Sequence, residues 1–332
     1  MKSPNVPPLL VSFSQREKFI AALDEETRSS QGAEIVSLVE KGLPPAVSVR
    51  AVSVLFGIHP QFLGSVLVRP EKYYRKFTLP KGRGKRVIYA PRVVLKNIQR
   101  WIGFHLSRNI PFPRSVVGFV PGRSTFDGAL PHCGSDWVFS TDIVEFFPST
   151  SSAMIVQSLM KTGFSKRSAE LISTISSINN GLAQGSPASP VLANLAFSIV
   201  DERIQLFCRV CGYTYSRYAD DVVISGKGQP PEGLKEKLEG FLVDTSWKIS
   251  NEKSILSVKP KRLKVFGLLV NGSAPRLTNG YRNRIRAIRH LIRVGKIEQT
   301  RLMEGKGHLA YADSIEKRRS QLSSGPTDED RA

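Results

Sequence analysis

The middle of the chain carries its clearest pattern in short runs of apolar and β-branched residues broken by turn-forming positions. Tyr213-Thr214-Tyr215-Ser216-Arg217 and Val222-Val223-Ile224-Ser225 both read as strands. The residues between them, Tyr218-Ala219-Asp220-Asp221, therefore fall at the tip of a β-hairpin, with two adjacent carboxylates at the turn. A third apolar strand, Trp137-Val138-Phe139-Ser140-Thr141-Asp142, ends in an aspartate just before helix-forming sequence that includes Glu145, Phe146 and Phe147. Between these sites, Gly181-Leu182-Ala183-Gln184-Gly185-Ser186-Pro187-Ala188-Ser189-Pro190 predicts a small-residue loop, and Val191 to Val200 an apolar helix. Small residues permit close approach of the backbone to a flat ligand.

Helical periodicity marks both ends of the chain. From Phe13 to Val68, apolar stretches such as Ala33-Glu34-Ile35-Val36-Ser37-Leu38-Val39 alternate with Pro and Gly breaks, which predicts a small helical extension. Near the other end, Tyr281, Ile285, Ile288 and Ile292 form one apolar face, while Arg282, Arg286, Arg289 and Arg293 recur at i, i+4, i+7 and i+11. Such a helix packs and still presents an arginine stripe. The polar stretch from Ser323 to Asp330 is expected to be disordered.

Composition sharpens the choice of partner. Among 332 residues, 48 Lys and Arg stand against 28 Asp and Glu, a net charge of +20, which suits a phosphate-bearing partner. No run of about 18 apolar residues exists and the N-terminus lacks a signal-peptide core, so a cytoplasmic protein is expected. Three cysteines fit a reducing compartment. Zinc at Cys208 and Cys211 would need two further ligands, with Cys133 beside His132 the only nearby pair, so buried or free thiols are the expectation. The basic run Lys81-Gly82-Arg83-Gly84-Lys85-Arg86 lacks both the gap between glycines and the Ser or Thr of a P-loop, which argues against an NTPase.

An isolated Asp-Asp pair between strands is usually a solvated turn. Here Asp142 supplies a third carboxylate, and a backbone carbonyl of the same segment, that of Ile143, is expected to join it. Two divalent cations roughly 3.5–4 Å apart activate a 3′-hydroxyl and stabilise leaving pyrophosphate, and they require several such oxygens on a rigid support.

These segments, in this order, resemble the reverse transcriptase family from about Tyr73 to about Arg293. The resemblance implies an α+β right-hand polymerase: an N-terminal helical extension (1–68), fingers (69–135), a palm with an antiparallel sheet and packed helices (136–270, with part of the fingers around 150–185), a short helical thumb (271–320) and a tail (321–332). It implies metal ligation by Asp142, Asp220 and Asp221, with Asp221 the more peripheral, and two Mg²⁺ ions, or Mn²⁺ in their place. Phe147 matches the aromatic gate that excludes a ribonucleotide 2′-hydroxyl. Gln184 and Gly185 match the nucleotide-pocket loop. Arg86, then Lys81 and Lys85, match the fingers cations that clamp the triphosphate, where a guanidinium can fork two oxygens. Lys253 matches a lysine that protonates pyrophosphate, and Phe266 and Gly267 lie in the hairpin that grips the primer end.

Within the family, several segments look retron-like: Lys85-Arg86-Val87-Ile88-Tyr89-Ala90-Pro91, Leu95 to Ile102, and Gly118-Phe119-Val120-Pro121-Gly122-Arg123-Ser124. Two positions depart from the retron pattern. Gly128 replaces the asparagine of an Asn-Ala-x-x-His motif ending at His132, and Phe266 replaces the threonine of a Val-Thr-Gly motif. The retron resemblance implies a structured noncoding RNA partner, priming from a guanosine 2′-hydroxyl, branched multicopy single-stranded DNA as product, and phage defence with an effector protein. RNA contacts are expected at His132 and the 281–293 helix. The alternatives are another bacterial defence or intron-related reverse transcriptase, and a catalytically silent RNA-binding module. Three crowded carboxylates argue against the last, because they repel one another unless a metal neutralises them.

Overall fold

The computed structural model describes residues 7–81 and 84–323. Four helices open the chain: α1 (Arg16–Ala21), α2 (Glu25–Glu40), α3 (Val49–Phe56) and α4 (Pro60–Val68). Local chemistry sets their ends. The Asp24 side chain accepts from the Thr27 N–H at the start of α2, the Ser48 hydroxyl does the same for Ala51 at α3, and α3 stops at Gly57 in the left-handed region. These helices are not a separate appendage. Ile35, Leu55 and Leu63 share one core with Ile98 and Trp101 of α5 (Val93–Asn109), and the Trp101 indole donates to the Leu9 carbonyl at 3.1 Å.

Strands β1 (Tyr74–Lys81) and β2 (Gly84–Pro91) form a long antiparallel hairpin that projects Phe77, Leu79 and Val87 to solvent. After α5 come the short α6 (Thr125–Ala129), β3 (Trp137–Asp142), and the pair α7 (Ser152–Lys161) and α8 (Lys166–Ser176). A two-residue ladder of β4 (Ser177–Ile178) and β5 (Gly181–Leu182) leads into α9 (Ser189–Cys211). The apolar helix expected over 191–200 therefore continues for three further turns, because Ile204 and Cys208 prolong its buried face to the stop at Gly212.

The hairpin β6 (Thr214–Tyr218) and β7 (Asp221–Gly226) joins β3 and β8 (Ile255–Val258) in an antiparallel sheet of order β6-β7-β3-β8, with α10 (Leu234–Gly240) intervening in sequence. Alternation along this sheet separates two cores. Trp137, Phe139, Val222 and Ile224 face the large core shared with the N-terminal helices and α5, whereas Val138 and Val223 face a second core. That second core contains Leu263, and Val265 and Leu268 from the small sheet of β9 (Lys264–Val265), β10 (Leu268–Leu269) and β11 (Arg276–Leu277). It also takes Ile285 of α11 (Asn279–Arg293) and Ile315 of α12 (Gln299–Ser323). Helix α12 runs past residue 320, so the tail expected from 321 begins as helix, and 324–332 lie outside the described residues. No helix among the described residues is long and apolar enough to cross a membrane.

Candidate active site

Strands β6 and β7 pair Tyr218 with Asp221, which leaves Ala219 and Asp220 as a two-residue turn, as the sequence pattern predicts. Ala219 takes a φ of 56°, a left-handed conformation that an L-residue keeps only when its surroundings impose it. Arg217, fully buried beneath the turn, imposes it. Its guanidinium forks Asp201 at 2.8 and 2.6 Å and donates to Asn194 Oδ1 and to the Ala219 carbonyl, both at 2.9 Å. Asn194 Nδ2 donates to the Gly118 carbonyl at 2.8 Å, and Gly118 lies so close to the tip that a Cβ there would stand 2.4 Å from the Ala219 nitrogen. Removing one partner of a buried charge pair of this kind costs about 3–5 kcal/mol.

The third carboxylate meets the tip through the sheet. Asp142 is the cross-strand partner of Asp221, and the Ile143 N–H donates to the Asp220 carbonyl at 2.9 Å. Burial, and then the charge of Asp220, push the Asp221 carboxyl up to about 6. Lys253 forms an ion pair with Asp142 and lines the same cavity. Among the described residues no three His, Cys, Asp or Glu side chains close around a common point in this conformation. The donor set nevertheless fits a hard divalent cation: carboxylate oxygens from two paired strands and a hairpin tip, with unfavourable like charge that a cation relieves.

These groups open on a cavity of about 710 Å³, which also takes Phe147, Gln184, Lys85, Arg86 and the Ile143 backbone segment into its wall. Phe146 and Phe147 divide their roles. Both border the cavity, but Phe146 is buried against Phe197 and Trp247, while Phe147 is only half-buried. Gly185 has a φ of +132°, and a Cβ there would meet the Tyr89 carbonyl at 2.8 Å, beside the Tyr89 N–H bond to the Gln184 carbonyl at 2.9 Å. Glycine is thus required for β2 to dock on this loop, a role that sequence alone does not show. The side chain of Lys81, together with Gly82 and Arg83, lies outside the described residues.

Other expected residues fall around the cavity or away from it. Phe266 and Gly267 form the β9–β10 turn with φ values of 48° and 82°, and the Phe266 ring lies 5.9 Å from that of Tyr218. Phe266 also explains Gly128: a Cβ at 128 would stand 2.6 Å from Phe266 Cε2. The two positions that depart from the retron motifs therefore lie against each other, with Val117 Cγ2 also 2.7 Å from that Cβ position. Arg282, Arg286, Arg289 and Arg293 are exposed on α11, whose Ile285 is buried. Arg289 is already paired with Asp313 at 3.0 Å.

His132 is a correction. It is fully buried, with Nδ1 2.7 Å from the Ser225 hydroxyl, so it packs beneath the sheet and cannot reach an RNA. Cys208 is a buried thiol pushed up to about 12 by burial, whereas Cys211 is exposed and Cys133 half-buried. Sequence reasoning missed Phe119, which lines the cavity, and the Asp201–Arg217 pair, which joins two elements through space.

Residues 79–270, more than half of the chain, match the family model described as reverse transcriptase (RNA-dependent DNA polymerase). The chain is 26% identical over 295 residues to Retron Ec86 reverse transcriptase of Escherichia coli, covering 88% of this chain and 92% of that protein. It is 28% identical over 326 residues to Retron Mx65 reverse transcriptase of Myxococcus xanthus, covering 90% and 74%. For Retron Ec83 reverse transcriptase of Escherichia coli the figures are 27% over 286 residues, 81% and 92%. With the carboxylates at the end of β3 and the tip of β6–β7, and with relatives of this kind across most of its length, the chain belongs to the reverse transcriptase (RNA-dependent DNA polymerase) family.

Proposed function

We propose that this chain is the RNA-directed DNA polymerase of a retron, copying part of a structured noncoding RNA into branched multicopy single-stranded DNA. The observation that carries the chemistry is the convergence, in one cavity, of residues from four separate segments: Lys85 and Arg86, Asp142 with Phe147, Gln184, and Asp220 with Asp221. Arg86 and Lys85 bind the triphosphate of an incoming dNTP from β2. Phe147 lies under its sugar and leaves no room for a 2′-hydroxyl. Two Mg²⁺ ions, held by Asp142, Asp220, Asp221 and the Ile143 carbonyl, would lower the pKa of the primer 3′-hydroxyl and offset charge on the pyrophosphate. Lys253, held at Asp142, supplies a positive charge and a proton at the leaving pyrophosphate.

The α11 arginines bind the template–primer backbone without reading its sequence. What supports retron membership is the similarity to the retron relatives, against two motif departures, Gly128 and Phe266, that lie against each other. The setting we propose is the bacterial cytoplasm, in phage defence, with an effector protein as the further partner. The test is expression of the chain with its flanking genomic DNA, followed by extraction of nucleic acid under denaturing conditions. A discrete RNA-linked single-stranded DNA that disappears in Asp220→Asn is the expected result. Template-dependent dNTP incorporation without that species would instead favour a reverse transcriptase outside the retrons.

A further inference from the structure

Phe119 is a large aromatic residue in an unusual place. It is 41% exposed and lines the cavity. Its φ of 60° is left-handed, where glycine or asparagine is the ordinary choice and a bulky side chain is an outlier. A position needed only for the turn would favour glycine, so the ring itself calls for an explanation.

The backbone around Phe119 is held from several sides. The Val117 N–H donates to the Arg217 carbonyl at 2.9 Å, the Gly118 carbonyl accepts from Asn194, and the Arg123 guanidinium donates to the Phe112 and Val116 carbonyls at 2.7 Å each. The loop is therefore tied to the same buried network that fixes the catalytic hairpin. From it the Phe119 ring reaches two neighbours, Phe147 at 6.1 Å and Tyr218 at 6.2 Å between centroids, both within the range of favourable aromatic pairs. Phe147 also has the Phe146 ring at 5.6 Å, and Phe146 is buried in the core. Phe119 is thus the wall of Phe147 that stands in the cavity rather than in the core.

We propose that Phe119 is a specificity-determining residue for the sugar of the incoming nucleotide, acting by holding the ring of Phe147 in place; this rests on the reading of Phe147 as the sugar gate. Without the Phe119 ring, Phe147 gains room to turn aside, and a 2′-hydroxyl gains the space it vacates. The ring contacts of Phe119 are with Phe147 and with Tyr218 rather than with a carboxylate, so the main effect falls on the choice between sugars.

The test is single-nucleotide insertion on an RNA template with an annealed DNA primer, comparing kcat/KM for dGTP and GTP opposite cytidine. Phe119→Gly removes the ring while suiting the left-handed backbone, and Phe119→Tyr restores an aromatic ring. We expect Phe119→Gly to lower the dGTP-to-GTP ratio about tenfold or more, mainly through a lower KM for GTP, as for a pocket deprived of one discriminating group. Phe119→Tyr should hold the ratio within about threefold of wild type, and Phe119→Gly combined with Phe147→Ala should discriminate no worse than Phe147→Ala alone, the non-additivity expected of touching residues. Equal losses for both nucleotides in Phe119→Gly would mean a structural role and overturn the proposal. An unchanged ratio in Phe119→Gly beside a collapsed ratio in Phe147→Ala would overturn it while keeping the gate. An unchanged ratio in Phe147→Ala would remove the gate reading and this proposal with it.

Discussion

His132 shows how a single residue changes meaning between sequence and structure. The retron resemblance makes it an expected RNA contact, yet the fold buries it and leaves Ser225, itself 2.9 Å from Ser135, as its hydrogen-bond partner. Burial holds its pKa down to about 3. The unfolded chain binds this proton near its ordinary value of about 6.5, so the neutral buried ring contributes its full stability above that pH. That contribution is lost as pH falls from there towards 3, at up to about 1.4 kcal/mol per pH unit. Urea unfolding of His132→Asn should therefore lack one proton's worth of the wild-type slope between pH 6 and about 4; identical slopes would contradict the buried neutral state. The aspartates were legible because strand alternation and a turn place them without help from distant residues. The Asp201–Arg217 pair was not, since nothing local distinguishes an arginine in a strand from one beneath it.

Elements carry their own predictions. Helix α11 was legible because its apolar face and arginine stripe follow one period, and Ile285 is indeed buried. Its arginines are nonetheless unequal. Arg282 bonds to Asn279, Arg286 to Asn283 and Arg293 to His290, while Arg289 is neutralised by Asp313 of α12. Replacing Arg282, Arg286 and Arg293 together by Gln should reduce the slope of log K against log salt for a primer–template duplex by about 2–3, since each phosphate left without its arginine removes roughly 0.7–0.9. Arg289→Gln should change it by less than any one of these. A titration from low to moderate salt checks both, and an unchanged slope in the triple variant would place the duplex elsewhere. The β1–β2 hairpin was legible as a basic segment, but its docking through Tyr89 onto the Gln184 loop is a long-range contact with no local signal.

At the scale of the whole molecule, the β6-β7-β3-β8 sheet serves two cores, and α12 is tied to the segment around α6 by a polar cluster. The Arg318 guanidinium of α12 holds Asp127 of α6, donates to Ser124 at 2.7 Å, and lies 4.8 Å from the Phe126 ring centroid. Hydrogen bonding from Arg318 brings the Asp127 carboxyl down to about 2. A carboxylate lowered on folding stabilises the protein above its unfolded pKa of about 3.9 and loses that contribution as pH falls through the folded value. Arg318→Ala should therefore weaken binding of a long primer–template more than it slows a single insertion. Its stability deficit, about 1 kcal/mol for a partly exposed pair at neutral pH, should vanish between pH 4 and 2. A deficit that persists at pH 2 would show that Arg318 acts through packing on Phe126 alone.

The most direct measurement of the central claim is primer extension on an RNA template with the four dNTPs, using purified wild type and Asp220→Asn with matched unfolding curves. Templated DNA synthesis by the wild type is expected, with a loss of about a thousandfold or more in the variant, as for removal of a group that acts in the transition state. An Asp220→Asn protein that extends the primer as well as the wild type would contradict it.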